Sequence, residues 1–230
     1  MKRYLIFHTL MRYDIAAFLL CIFFFLVWPQ FDLYVSQYFY DRNSGGFFWG
    51  HHIIAESIYR LTHIIGVIVL ITLPLMIAAS WLINKDFLVQ QRKNLIYHLS
   101  VCILGPGLLV NLVLKGNWGR PRPRQILEYG GDKLFEAPFF PSFECLDCHS
   151  FVSGHASVGF CFFCLALLSD NKNWLWLPAI AGTIIGAGRI VQGGHFFSDV
   201  MFSGWGIWFC SLFLYTLFFK LKIHRKDILD

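Results

Sequence analysis

Charge is what this chain has least of. Of 230 residues, 19 are Lys or Arg and 14 are Asp or Glu, 14% together, against 57% hydrophobic and 18% aromatic. Ordinary soluble domains carry about 25% charged residues, so a water-soluble fold is excluded, and neither a nucleic acid nor an obligatory protein partner is expected. No soluble domain, internal repeat or low-complexity segment interrupts the apolar pattern. A small-residue cleavage site is also missing. Lys2, Arg3 and Arg12 precede the first apolar run as in a signal peptide, but the "VWPQFDLY" behind it is bulky throughout, so the run reads as an uncleaved helix. The alternation of barrel strands is absent too, and a backbone in lipid must satisfy its own polar groups, which leaves helices.

What is present is a set of runs free of Asp, Glu, Lys and Arg: Ile15–Phe31, Leu61–Asn84, Asn94–Leu114, Cys148–Ser169, Asn173–Gly188 and Val200–Phe219, of 17, 24, 21, 22, 16 and 20 residues. Crossing the hydrocarbon takes about 20 residues, with a range of about 17 to 25. The expectation is an all-α polytopic membrane protein, one domain over 1–230, with six spans near 15–31, 61–84, 94–114, 153–169, 173–188 and 196–219. The fifth run is short and must borrow neighbours.

Orientation follows from the cations. Lys2, Arg3 and Arg12, then Lys85, Arg92 and Lys93, then Lys172, then Lys220, Lys222, Arg225 and Lys226 put eleven on one face. The other face has eight: Arg42, Arg60, Lys115, Arg120, Arg122, Arg124, Lys133 and Arg189. Five of these eight would escape the topological rule if they bound an anion. Both termini are then expected in the cytoplasm, and the third and fifth loops open on the outer side. Of seven cysteines, Cys21, Cys102, Cys161, Cys164 and Cys210 lie in apolar runs as small packing groups. Cys145 and Cys148 fall in the long outer loop, where a disulfide is permitted.

Three polar stretches carry chemistry. In "LKGNWGRPRPR", Lys115, Arg120, Arg122 and Arg124 fall within ten residues. Basic residues at helix ends also snorkel. Interleaved Pro121 and Pro123, however, hold the guanidinium groups in one arrangement, which suits a phosphate. In "SFVSGHAS", Ser153, Gly154 and His155 stand at a helix mouth, where unpaired N–H groups favour an anion and a histidine delivers a proton. An ordinary helix cap accounts for the same residues taken alone. In "GRIVQGGHFFSD", Arg189 ends the fifth span while His195 and Asp199, four apart, share a helix face. A carboxylate there fixes the tautomer of a histidine nucleophile; an interfacial ion pair beside a snorkelling arginine explains this stretch equally well. All three stretches emerge on one side of the membrane, where they can surround a single phosphoryl group. Fixed cations would do what magnesium does elsewhere, so that chemistry requires no metal or cofactor.

These residues resemble the type 2 phosphatidic acid phosphatase (PAP2) superfamily, whose signature is Lys-x6-Arg-Pro, Pro-Ser-Gly-His and Ser-Arg-x5-His-x3-Asp. Lys115 through "GNWGRP" to Arg122-Pro123 matches the first motif; Val152-Ser153-Gly154-His155 lacks only the proline of the second; Gly188-Arg189, His195 and Asp199 lack only the serine of the third. The resemblance implies a PAP2-like helical bundle in which Lys115, Arg122 and Arg189 hold phosphate oxygens with help from Ser153 and the Gly154 N–H. It implies that His195 attacks phosphorus, Asp199 orients it, and His155 protonates the leaving oxygen. Within the superfamily, "NWGRPRP", "GGDKLFEAPF", "CHSFVSGHASVGF" and "QGGHFFSDV" are most similar to the bacterial lipid A 4′-phosphatases, which implies a lipid substrate, an inner-membrane location and a site facing the periplasm. Undecaprenyl pyrophosphate or phosphatidylglycerophosphate would suit the same residues, as would transfer to an acceptor lipid, or lipid binding without catalysis. "CLDCH", Cys145 to His149, separately has the form of a c-type haem attachment site.

Overall fold

The computed structural model describes residues 2–50, 52–83, 86–142, 145, 148–169 and 171–219, and their side chains except those of 2–12 and 172. Of the cations expected on the cytoplasmic face, Lys2, Arg3, Arg12, Lys85, Lys172, Lys220, Lys222, Arg225 and Lys226 therefore lie outside the described residues or side chains. Asn84, the expected end of the second span, does so too.

Among the described residues the regular structure is helical apart from a strand pair of two residues each, Tyr40–Asp41 with Gly46–Phe47, and an isolated bridge between Ile126 and Lys133. Helix α1 (Lys2–Val27) stops before Pro29, which cannot continue a helix. The chain then turns by 82° into α2 (Phe31–Gln37). Helix α3 (Ile53–Leu82) begins two turns earlier than expected. Arg60, whose charge set the expected boundary, sits on the exposed end of the helix and pairs with Glu56 one turn back at 2.9 Å. His52 caps this helix by accepting from the Ile54 N–H.

Helix α4 (Asp86–Cys102) runs on as a π-helical stretch, Ile103–Leu114, and ends in the short α5 (Lys115–Trp118). Pro106 has no N–H to give, and the Asn111 side chain reaches back to its carbonyl at 2.7 Å, so the wider turns are stitched by a side chain. Helices α6 (Gly154–Phe160) and α7 (Phe163–Leu168) are followed by α8 (Trp176–Val191) and α9 (Phe197–Phe219).

Four helical segments among the described residues are long and apolar enough to cross a membrane: Ile53–Leu82, Asp86–Gln125, Asn173–Val191 and Phe197–Phe219. The bent pair α1 and α2 makes a fifth if counted as one span, and Gly154–Leu168 is shorter. The expected fourth span, 153–169, is thus two short helices broken at Cys161 and Phe162. This short segment is central, packed against α8, α9 and α3. A Cβ on Gly159 would lie 2.7 Å from the Gly182 Cα, so α6 and α8 touch backbone to backbone, as small residues allow between membrane helices. The core groups Phe25, Val110, Phe151, Phe160, Phe202 and Ile207. Leu19, Phe23, Ile68, Leu112, Ile184 and Phe213 point outward, an arrangement suited to lipid.

Candidate active site

The described residues of the loop 119–153 are tied back to the bundle by backbone and side-chain hydrogen bonds. The Ser142 N–H donates to the Trp118 carbonyl, Trp118 Nε1 to the Pro138 carbonyl at 2.7 Å, and the Ser150 N–H to the Arg120 carbonyl at 3.0 Å. Cys145 and Cys148 are joined in a disulfide, so the two thiols that a haem would need are already bonded to each other. His149 is also engaged, its Nδ1 lying 2.9 Å from the Lys115 carbonyl and donating to it.

Three cations gather under this loop. Lys115 opens α5 just after the π-helical stretch, Arg122 precedes the short 3-10 turn Pro123–Gln125 with its N–H on Gln125 Oε1, and Arg189 is in the last turn of α8. Lys115 feels the charges of Arg122, Arg189 and Asp199, and Arg189 feels those of Arg122 and Arg124. None of Lys115, Arg122 and Arg189 forms an ion pair among the described residues. Arg189 is held by its Nη1 on Gln192 Oε1 and by the Tyr59 ring 4.8 Å below its Cζ, while its buried Nε has no hydrogen-bond partner. A Cβ on Gly194 would stand 2.5 Å from Arg189 Nη2; only glycine leaves room for the guanidinium.

Arg120 departs from the expected cation cluster. Within the Pro121 and Pro123 segment Arg120 turns inward, drawn by Asp32 and Asp199, away from Arg122. It is wholly buried, with Nη2 on Asp32 at 2.8 Å, Nη1 on Asp199 at 2.5 Å and on Ser198 Oγ at 2.9 Å, and Nε on the Glu136 carbonyl. Its charge is spent on two carboxylates and is not offered to a ligand.

Asp199 and His195 also differ in detail from the expected helix-face pair. Helix α9 starts at Phe197, so His195 sits in the turn before it. His195 Nδ1 is 2.8 Å from the Ser150 carbonyl and 3.5 Å from Asp199 Oδ2. A carbonyl only accepts, so Nδ1 carries the proton and Nε2 keeps its lone pair. Asp199 is engaged mainly with Arg120, the Ser150 hydroxyl at 2.5 Å and the Phe196 N–H at 2.8 Å. It fixes the peptide that fixes the histidine. His195 is buried, and desolvation holds its imidazole down to about 4, against the opposite pull of Asp199.

Ser153 caps α6, its Oγ accepting from the Ala156 N–H, and its own N–H donates to the Asp199 carbonyl at 3.0 Å. Gly154 starts the helix, where the first N–H groups have no intrahelical acceptor. A Cβ there would be 3.0 Å from Lys115 Nζ. His155 stacks on Tyr59 with centroids 4.3 Å apart, and the charges of Arg189, His195 and Lys115 act on it. All eight expected residues, Lys115, Arg122, Ser153, Gly154, His155, Arg189, His195 and Asp199, thus share one neighbourhood. Sequence reasoning missed Tyr59, Gln192, Ser150 and Asp32. Gln192 carried a signal, an amide one turn beyond Arg189 in an apolar stretch; the contacts of Tyr59 and Asp32 join segments far apart in the chain.

A cavity of about 710 Å³ opens at Lys115, Gly154 and His155 and runs between α3, the π-helical stretch and α6, lined mostly by apolar groups such as Val67, Leu70, Leu108, Val158 and Phe162. The arrangement can hold an anionic headgroup at one end and an aliphatic chain in the rest, with a neutral imidazole at the anion.

Known proteins resemble this chain in sequence. The chain is 36% identical over 205 residues, 86% of its own length and 91% of the relative's, to the lipid A 4′-phosphatase of Francisella tularensis subsp. novicida. It is 28% identical to the lipid A 4′-phosphatases of Rhizobium etli, covering 88% of this chain and 84% of that protein, and of Rhizobium leguminosarum, covering 88% and 93%. No solved structure matches. Residues 95–223, which hold every cation and histidine of the cluster, match the profile of the PAP2 superfamily, and the chain belongs to that superfamily.

Proposed function

We propose that the chain, acting as one unit over residues 1–230, is a membrane phosphatase that hydrolyses a phosphate monoester of lipid A, the 4′-phosphate, at the periplasmic face of a bacterial inner membrane, with both termini in the cytoplasm. The observation that carries it is the trio Lys115, Arg122 and Arg189, three cations without a carboxylate partner among the described residues, around a buried imidazole whose Nδ1 proton is held by a carbonyl. Such a cluster repels itself and is relieved by a multiply charged anion. The apolar cavity beside it suits the acyl part of a lipid, and the relatives' names supply lipid A and its 4′ position.

In this reading Lys115, Arg122 and Arg189 neutralise the phosphoryl oxygens, with the Ser153 hydroxyl and Gly154 N–H as further donors. His195 Nε2 attacks phosphorus in line; the N–P bond forms as the ester P–O bond breaks. His155 gives its proton to the leaving sugar oxygen, and the bound dianion favours the imidazolium that it needs. His155 then takes a proton from water, whose oxygen displaces His195 and releases inorganic phosphate. Asp199 and the Ser150 carbonyl stabilise the charge that His195 acquires in the intermediate.

Mass spectrometry of lipid A from cells with and without the protein tests this. Wild type removes one phosphate, and His195→Ala leaves it in place, with turnover lower by about 10⁴-fold or more. Unchanged lipid A alongside cleavage of undecaprenyl pyrophosphate or phosphatidylglycerophosphate, resolved by thin-layer chromatography, would refute the substrate and leave the chemistry standing.

A further inference from the structure

At the far end of the apolar cavity, away from Lys115, lie His98, Cys102 and Cys161. The two Sγ atoms are 3.2 Å apart, and a His98 ring nitrogen lies with them inside a 4.8 Å cluster. His98 and Cys102 are one turn apart on α4 and share a face; Cys161 comes from the break between α6 and α7. All three are buried, and His98 Nε2 has no hydrogen-bond partner. Packing explains small thiols in a bundle. It does not explain a buried imidazole whose Nε2 has no hydrogen-bond partner, and an ionisable group inside a span marks a functional site by default.

We propose that His98, Cys102 and Cys161 bind a zinc-class divalent ion. Two thiolates and an imidazole are ligands such an ion favours. A Zn–S bond of about 2.3 Å sets tetrahedral sulfurs roughly 3.7 Å apart, a small adjustment from the 3.2 Å found here. Charge points the same way: two thiolates and a neutral imidazole cancel a divalent ion, whereas a monovalent one would leave a net negative site in a low-dielectric interior. Binding releases two thiol protons for each ion, and the cavity gives both a path. Cys164 packs beside Cys161 in the same apolar cluster, outside the 4.8 Å group of three. The ion would tie α4 to the α6–α7 break, on the same short segment as His155, with no part in phosphoryl transfer.

The test uses the full-length, tag-free protein in detergent, incubated with zinc or cobalt(II) and desalted. We expect about one equivalent of zinc, a near-ultraviolet thiolate-to-cobalt charge-transfer band, and a higher Tm with zinc that a chelator reverses. Cys102→Ser, Cys161→Ser and His98→Gln should each fall below about a tenth of an equivalent, while Cys21→Ser keeps the ion. Should those variants misfold, wild type alone decides: zinc should slow maleimide labelling of Cys102 and Cys161 by about tenfold or more, read peptide by peptide, and a chelator should restore it. The proposal is overturned by substoichiometric zinc with no cobalt band, by zinc that survives the His98 and Cys102 substitutions, by labelling indifferent to zinc, or by a Cys102–Cys161 disulfide in protein purified without reductant.

Discussion

Arg120 and Arg122 stand two residues apart, and the regions they serve are opposites. Around Arg120 the charge is closed: Asp32 and Asp199 accept from its two terminal nitrogens, Ser198 and a backbone carbonyl take the rest, and nothing reaches solvent. Around Arg122, Lys115 and Arg189 the charge is open: among the described residues no carboxylate pairs with them, and one buried guanidinium N–H is unpartnered. The closed region is architecture, holding α2, the segment from Arg120 to Ser150 and the start of α9 in register. The open region has an incomplete electrostatic balance that a phosphate would complete.

Substitutions should separate the two. Arg120→Met leaves Asp32 and Asp199 buried without their cation, and breaking a buried ion pair on one side costs about 3–5 kcal/mol. The expected result is a large fall in Tm and little folded protein in the membrane, read by thermal unfolding in detergent. Arg189→Ala should lower kcat/KM by about 10²–10³-fold, as for loss of one charge-stabilising donor, while Tm holds or rises as a like charge leaves the cluster. Equal destabilisation by both would erase the distinction between closed and open.

The smallest effect concerns His195, which lies where the regions meet. Its folded value of about 4 is below the ordinary 6.5. An unfolded chain takes up the proton as pH falls through about 6.5, whereas the folded one resists until about 4. Stability from this group is therefore complete above 6.5 and is lost as pH falls toward 4. Unfolding titrations of wild type against His195→Gln should diverge only within that window. An acid limb of kcat/KM near 6.5, attributable to His195, would show that burial does not depress this histidine.

The site was legible where it depends on side-chain type and spacing. Lys115, Arg122, His155, Arg189 and His195 declare themselves because cations and histidines are costly at the edge of an apolar run. What escaped depends on atoms without a side-chain signature. The Ser150 carbonyl, which sets the His195 tautomer, could be any residue's carbonyl. Arg120 looked like its neighbours because direction within a Pro-rich segment is decided by Asp32, which lies 88 residues away. Helix positions followed hydropathy well, but ends did not: α3 carries its first charges as an exposed ion pair, and the expected fourth span breaks at Cys161 and Phe162 where packing on α8 replaces length.

The Tyr59 ring faces both His155 and Arg189, yet it hangs from α3, a helix largely exposed outside the bundle and flanking the cavity. From that helix it touches both the residue proposed to donate the proton, on α6, and one proposed to hold the anion, on α8. A single phenol thus joins a helix that borders the apolar cavity to two side chains of the candidate site.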